Sequence, residues 1–360
     1  MNKINCKYCD THLRIRRVTP GFEYICPRCE GVVYRSGTSI SSIIAMTFST
    51  LIMFYWMINS PILTVTVFDS KTRSVLDSII YLLDSGHFFS SIILFLTVVF
   101  IPIFMIILIY IIIVGKKLNV NNAKLKKYIH IYNFIKEWNM VEVYLVGVLI
   151  SMIKLDELTI LNIEYGLWFT FLYILLFYLT VVWFNPYDII DEIEIKEKDK
   201  NSIRKSLLYL MLAFIFIIPS NILPIMPTYK FAVEYNNTIY DGIKAFYEEG
   251  DYFVSFVIFF TSICIPVLKI VGVFIMILMA KYGILQNYKK FMTKYHRVTD
   301  ALGKYSMLDV FVVVIVAAFI QYNLLLRIES GSAIFPFTLV VFFTMMASKS
   351  FDTRLLWENK

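Results

Sequence analysis

Four cysteines fall in two pairs near the start of the chain, Cys6-Lys-Tyr-Cys9 and Cys26-Pro-Arg-Cys29, with 16 residues between the pairs. Two Cys-x₂-Cys knuckles at that spacing can gather four thiolates around one tetrahedral ion, the arrangement of a zinc ribbon. Redox dithiols use the same pairs, and iron fits the same geometry. A complete Cys₄ set leaves no coordination position open, so the expected Zn²⁺ is structural rather than catalytic. Residues 1–36 hold few apolar side chains, and such a segment folds only around its metal. His12 is expected to be an ordinary loop residue beside four better ligands. Arg14, Arg16, Arg17 and Arg35 make the ribbon basic. Ribbons can bind nucleic acid, but one tethered just ahead of an apolar run is expected to dock or brace, with no nucleic-acid partner. Cys264, alone in an apolar stretch, reads as a packing residue.

The other side chains with chemistry to offer stand in apolar surroundings: Glu142, Lys154, Lys269, Asp309 and Gln321. Charge inside a membrane faces a protein interior or a watery cavity. Two readings of Asp309 stay open. Ser306 precedes it by three residues, the spacing of a capping box, and an acid in a first helical turn suits the helix dipole. The alternative is a cavity or lipid contact. Lys154 lies near the far end of its span, where it can snorkel. Lys269 follows Pro266, which cannot donate a helical hydrogen bond, and a lysine beside a freed carbonyl suits a phosphate or headgroup. "PSNILPIMP" sets Asn221 among Pro219, Pro224 and Pro227. Irregular backbone at membrane depth must be buried in protein or line a cavity.

The elements that would position these residues are membrane spans. Of the 360 residues 58% are hydrophobic and 17% charged, too apolar for a soluble domain of this size. Eight spans are predicted, near 40–58, 88–114, 139–155, 165–184, 206–226, 252–280, 306–326 and 334–348. Lys and Arg are distributed 27 to five between the two sides of that topology. Both termini are therefore expected in the cytoplasm. Residues 1–36 are polar and are not read as a signal peptide. The basic segments 115–137 and 281–305 read as loops.

The halves repeat. "SGHFFSSIILFLTVVFIPIF" at 85–104 matches "EGDYFVSFVIFFTSICIPVL" at 249–268, and "EWNMVEVYLVGVLISMIKL" at 137–155 matches "KYSMLDVFVVVIVAAFIQY" at 304–322. The second match pairs Glu142 with Asp309. The expected fold is an all-α polytopic membrane protein of about eight transmembrane helices in two parallel four-helix modules. A small zinc ribbon occupies residues 1–36, the modules 37–186 and 206–360, and a cytoplasmic linker 187–205.

The cysteine pairs, "NILPIM", the span ending "IPVLK", "YSMLDVFVVVIVAAFIQ" and the closing "SFDTRLLW" resemble the paraquat-inducible protein A family of bacterial inner-membrane proteins. The resemblance covers nearly the whole chain. It implies a multi-pass subunit of the bacterial inner membrane that passes phospholipid between the membrane and a periplasmic MCE-domain tunnel partner, without an enzymatic reaction. It assigns Cys6, Cys9, Cys26 and Cys29 to the family's first ribbon. Asn221, Pro224, Lys269, Ser306, Asp309 and Asp352 go to second-module motifs, and Glu142 to the paired position in the first. Typical members carry a second ribbon where this linker has no cysteine. The first-module counterpart of "NILPIM", around Asn59 and Pro61, is degenerate, which directs attention to the second module. The alternative function is a membrane scaffold or a metal- or redox-sensing protein of an envelope complex. The four histidines supply no cluster for an enzyme, and no nucleotide-binding motif is present.

Overall fold

The computed structural model describes residues 2–15, 22–66, 70–187, 199, 201–230, 233–322 and 326–358. The predicted linker 187–205 lies mostly outside the described residues, as do Arg16 and Arg17. The ribbon consists of two hairpins, β1 (Asn2–Asn5) with β2 (His12–Ile15) and β3 (Glu23–Ile25) with β4 (Val32–Arg35). Each cysteine pair occupies one hairpin turn.

The rest of the chain runs twice through one order of elements. The first pass comprises α1 (Ile40–Asn59), the hairpin β5 (Leu63–Thr66) and β6 (Ser70–Arg73), then α2 (Val75–Asp84) and α3 (Phe88–Lys117). It continues with α4 (Asn122–Lys136), α5 (Val141–Leu158), β7 (Ile160–Ile163) and α6 (Gly166–Trp183). The second pass comprises α7 (Ser202–Ile222), β8 (Met226–Lys230), β9 (Val233–Asn237), α8 (Ile239–Glu248) and α9 (Tyr252–Tyr282). It closes with α10 (Lys289–Leu302), α11 (Leu308–Phe319), β10 (Gln321–Tyr322), β11 (Leu326–Ile328) and α12 (Ile334–Ser350).

Local chemistry recurs in both passes. Capping boxes start α2, from Ser74 and Asp77, and α8, from Thr238 and Asp241. Each satisfies two orphan amides at once. Gly86 and Gly250 then turn the chain with φ of +83° and +95°, backbone that costs glycine nothing. Both long helices that follow contain a π-helical stretch, Phe95–Phe100 and Phe260–Cys264, ahead of Pro102 and Pro266. Proline has no N–H for the carbonyl four residues back, so the wider turn absorbs the missing bond.

Seven helical segments among the described residues are long and apolar enough to cross a membrane, and α12 is apolar but shorter. The basic segments read as loops are instead the amphipathic helices α4 and α10, which run on towards α5 and α11. Polar faces that look like loop in a linear sequence are here the outer faces of helices. The fifth span ends at Ile222 and the seventh at Phe319, short of the predicted 226 and 326. The chain enters antiparallel strands there, in the sheet ordered β10-β11-β8-β9. A smaller sheet, β6-β5-β7, does the same in the first pass. These strands are an addition to the all-α expectation.

The two passes meet where α5 crosses α11. Every residue of α11 is buried, Asp309 included, whereas the apolar windows of α1 and α7 are only 22% buried. The apolar outer faces of α1 and α7 are thus left for lipid. At the crossing, a Cβ on Gly147 would lie 2.9 Å from the Phe311 Cβ, and the Ser151 hydroxyl donates to the Gly147 carbonyl at 2.7 Å. Small residues that admit a close neighbour drive helix association in lipid, where no hydrophobic effect operates between helices. Two ion pairs also cross between the passes, Lys304 with Glu142 and, at 2.5 Å, Lys349 with Glu137.

Candidate metal centre and polar cleft

The cysteine cluster is complete. All four Sγ atoms lie within 4.8 Å of one another and are buried, and Cys6–Cys29 and Cys9–Cys26 are each 3.6 Å apart. Zinc–sulfur bonds of about 2.3 Å in a tetrahedron put sulfurs roughly 3.8 Å apart, so the set fits such an ion. Backbone amides support it: those of Tyr8 and Cys9 face Cys6, and those of Arg28 and Cys29 face Cys26. The Thr11 hydroxyl lies 3.1 Å from Cys9 Sγ. Burial pushes the Cys6 thiol up to about 11 and the Cys29 thiol further still. These thiols would hold their protons at neutral pH in the absence of a cation, and metal binding would release them. His12 takes no part, since its Nδ1 pairs with Asn5 at 2.6 Å.

Of the apolar-embedded polar residues, the structure brings together those of the second pass. A small cleft of about 40 Å³ lies between Ser220 and Asn221 of α7, Ser262 and Pro266 of α9, and Phe337 and Val340 of α12. Pro219 and Asn221 remain helical, and the Asn221 side-chain amide donates back to the Ile217 carbonyl at 2.7 Å. Pro266 leaves the Ser262 carbonyl without its helical donor, and the Ser262 side chain lies beside Asp309 behind the cleft. Ser262 is ten residues into α9, about 15 Å along its axis, so Asp309 sits deep in the helix packing. The capping box, one of the two readings open for Ser306 and Asp309, is absent. Met307 precedes α11 with no side-chain cap, and Ser306 lies in a 3₁₀ turn over Gly303–Met307. The chain continues from α10 through that turn, so no free helix start exists for Ser306 to cap.

Two turns beyond Ser262, Lys269 is 2% exposed and its Nζ has no hydrogen-bond partner. Asp300 Oδ1 is 3.9 Å away, beyond hydrogen-bonding reach. The ammonium lies against Gly303, where a Cβ would collide with it. Asp300 is itself held by the Ser348 hydroxyl at 3.0 Å.

The remaining predicted residues lie outside the cleft lining, although Lys154 stands close enough to Asp309 to interact with its charge. Glu142, the sequence twin of Asp309, is ion-paired to Lys304 and a quarter exposed. Lys154 sits 4.9 Å from the Phe246 ring centroid. Pro224 shapes the turn after α7, its carbonyl accepting from Ala333 at 3.1 Å. Gln321 opens β10, and its side chain lies outside the described residues. Asp352 pairs with Arg354 at 2.6 Å and takes its place from Ser202, whose hydroxyl accepts from the Asp352 amide at 2.6 Å.

Sequence reasoning missed Ser262, Asp300 and Gly303. It also missed that the degenerate first-pass motif keeps its geometry. Asn59 donates back to Tyr55 as Asn221 does to Ile217. The Pro61 carbonyl accepts from Gly166, and a Cβ there would strike it, as one on Gly331 would strike the Pro224 carbonyl. The 165-residue spacing of the two glycines was the available signal.

The fold and these polar insertions define a multi-pass helical membrane protein. The chain belongs to the paraquat-inducible protein A family, whose profile matches it twice, over residues 40–194 and 203–360. It is 25% identical over 402 aligned positions to a probable intermembrane transport protein of Haemophilus influenzae, covering 99% of this chain and 95% of the relative. The lipophilic envelope-spanning tunnel protein A of Escherichia coli is 23% identical, over 98% and 90% of the two chains. The intermembrane transport protein PqiA of the same organism is 33% identical over 45% of this chain and 38% of its own length. No solved structure is significantly similar.

Proposed function

We propose that the chain is an inner-membrane subunit of a lipid transport system, passing phospholipid between the membrane and a periplasmic MCE-domain partner, with no reaction of its own. The names borne by its relatives support intermembrane transport. The observation that carries the reading is Lys269: an ammonium buried among apolar spans without a hydrogen-bonded partner is costly unless an anion visits it. The nearby cleft, about 40 Å³, has room for only a few water-sized groups, far less than a typical small-molecule site of roughly 300–1,000 Å³. It suits a small polar group at the edge of a lipid headgroup, the rest of the lipid staying among the outer helix faces. Asn221 at its mouth and Asp309 behind Ser262 would orient that group. On this reading the ribbon and both termini lie in the cytoplasm and the two small sheets at the periplasmic face, which the bias of Lys and Arg supports.

Photoreactive residues placed at Asn221, Lys269 and Asp309 test this in the membrane-embedded protein. Phospholipid adducts should exceed those at the lipid-facing positions Phe214 and Ile215. Equal labelling at all five positions, with the protein folded, would remove the cleft from consideration.

A further inference from the structure

The ribbon precedes the first pass in sequence but is docked on the second. Arg297 of α10 donates to the Glu30 carbonyl at 2.6 Å and to the Cys29 carbonyl at 3.0 Å. Lys290 pairs with the Glu30 carboxylate at 2.7 Å. The other knuckle is held as well: the Thr353 hydroxyl donates to the Tyr8 carbonyl at 3.1 Å. The Arg28 guanidinium lies 4.7 Å from the Trp357 ring centroid, and the Trp357 indole donates to Thr293 of α10 at 3.1 Å. Gly31 leaves room for this contact, since a Cβ there would lie 3.0 Å from Arg297 Nη1 and closer still to the Tyr8 ring.

The inner face of α10 touches the residues around Lys269. The Tyr295 hydroxyl donates to the Leu268 carbonyl at 2.7 Å, and His296 Nε2 is 3.0 Å from the Ser348 carbonyl. Asp300, one turn on from Arg297, faces the Lys269 ammonium, and Gly303 closes over it. The sequence of α10, "KKFMTKYHRVTDAL", buries only Met292, Thr293, His296 and Thr299. That leaves little apolar area to hold the helix beyond its packing on α9, and its polar contacts to the ribbon and to α12 add to that hold. The ribbon in turn has almost no core but its cysteines and Leu13. Its knuckle carbonyls point at Arg297 only while the cysteine turns keep their shape, which a bound metal enforces.

We infer that metal occupancy of the four-cysteine cluster sets the position of α10, and through Asp300 and Gly303 the surroundings of Lys269, so that the ribbon is a metal-dependent clamp on the second pass. Its bearing on lipid rests on the reading of Lys269 given above. The test below reads α10 whether or not lipid binds, so the two ideas fail separately.

Hydrogen–deuterium exchange on the full chain in lipid nanodiscs tests the clamp, with zinc bound, after chelation, and in Cys26→Ser/Cys29→Ser. Exchange across α10 should rise about tenfold on metal loss, while α12 stays protected. Arg297→Ala, with its zinc retained, should raise α10 exchange to the same level and make it indifferent to chelation. Arg297→Lys should recover only part of the protection, because an ammonium cannot span two carbonyls as a planar guanidinium does. Unchanged α10 exchange in the metal-free protein would overturn the inference. So would an Arg297→Ala protein whose α10 still responds to chelation, or equal loosening of α10 and α12, which would mark general unfolding.

Discussion

Lys269 sets the energetic question at the scale of single residues. Removing an ammonium from water costs several kcal/mol, and its nearest carboxylate, at 3.9 Å, returns only part of that. Replacing a buried, imperfectly paired charge with an apolar side chain of similar volume is commonly neutral or stabilising by about 1–4 kcal/mol. Lys269→Met should therefore leave the thermal midpoint unchanged or higher while abolishing lipid adducts at Asn221. A lower midpoint would mean that the ammonium is a structural tie. Asp309 and Glu142 show how far a sequence pairing reaches at this scale. The match correctly puts both acids in a helix's first turn. Their partners, Ser262 and Lys304, come from other elements, and the first-pass position matching Ser262 is Val98, which offers no hydroxyl.

The capping boxes are the features of single elements most exposed to solvent conditions. The backbone amide and then the hydroxyl of Thr238 hold the Asp241 carboxyl below the usual carboxylate range. A group whose folded pKa is depressed adds stability above its ordinary value and loses it as pH falls through the folded one. The start of α8 should thus be secure at neutral pH and loosen below about pH 4. Pepsin, active in that range, should cut within 239–248 increasingly as pH falls below 4 in the natural chain, and throughout the acid range in Asp241→Asn. Identical profiles for the two would show that the carboxylate does not hold the turn. These boxes are local signals, a serine or threonine three residues before an acid, and so are open to sequence reading. The amphipathic α4 and α10 are harder to read, because their polar faces outweigh buried faces that exist only once α9, α12 and the ribbon are in place.

The two passes join most closely where α5 crosses α11, with ion pairs running from each pass to the other. Lys304 and Glu142 are each about a quarter exposed, so their coupling belongs near the upper end of the roughly 0.2–1 kcal/mol of surface pairs. Lys304→Glu and Glu142→Lys should each lower the unfolding midpoint, and the double swap should recover most of the loss. A purely additive double variant would show that the pair contributes nothing to joining the passes.

Composition, cysteine spacing and hydropathy by themselves determined that this is a membrane protein with a four-thiolate ribbon and a duplicated body. Those properties reside in local runs and fixed offsets, which need no folded context to be recognised. Tertiary structure alone decided that Asp309 is buried against Ser262 rather than capping a helix at a boundary. It also decided that Lys269 faces Gly303 and Asp300, and that the ribbon rests on the second pass. Each of these depends on which helices become neighbours. In lipid that choice is made by shape and hydrogen bonding between helix faces, and hydropathy along the chain does not encode it.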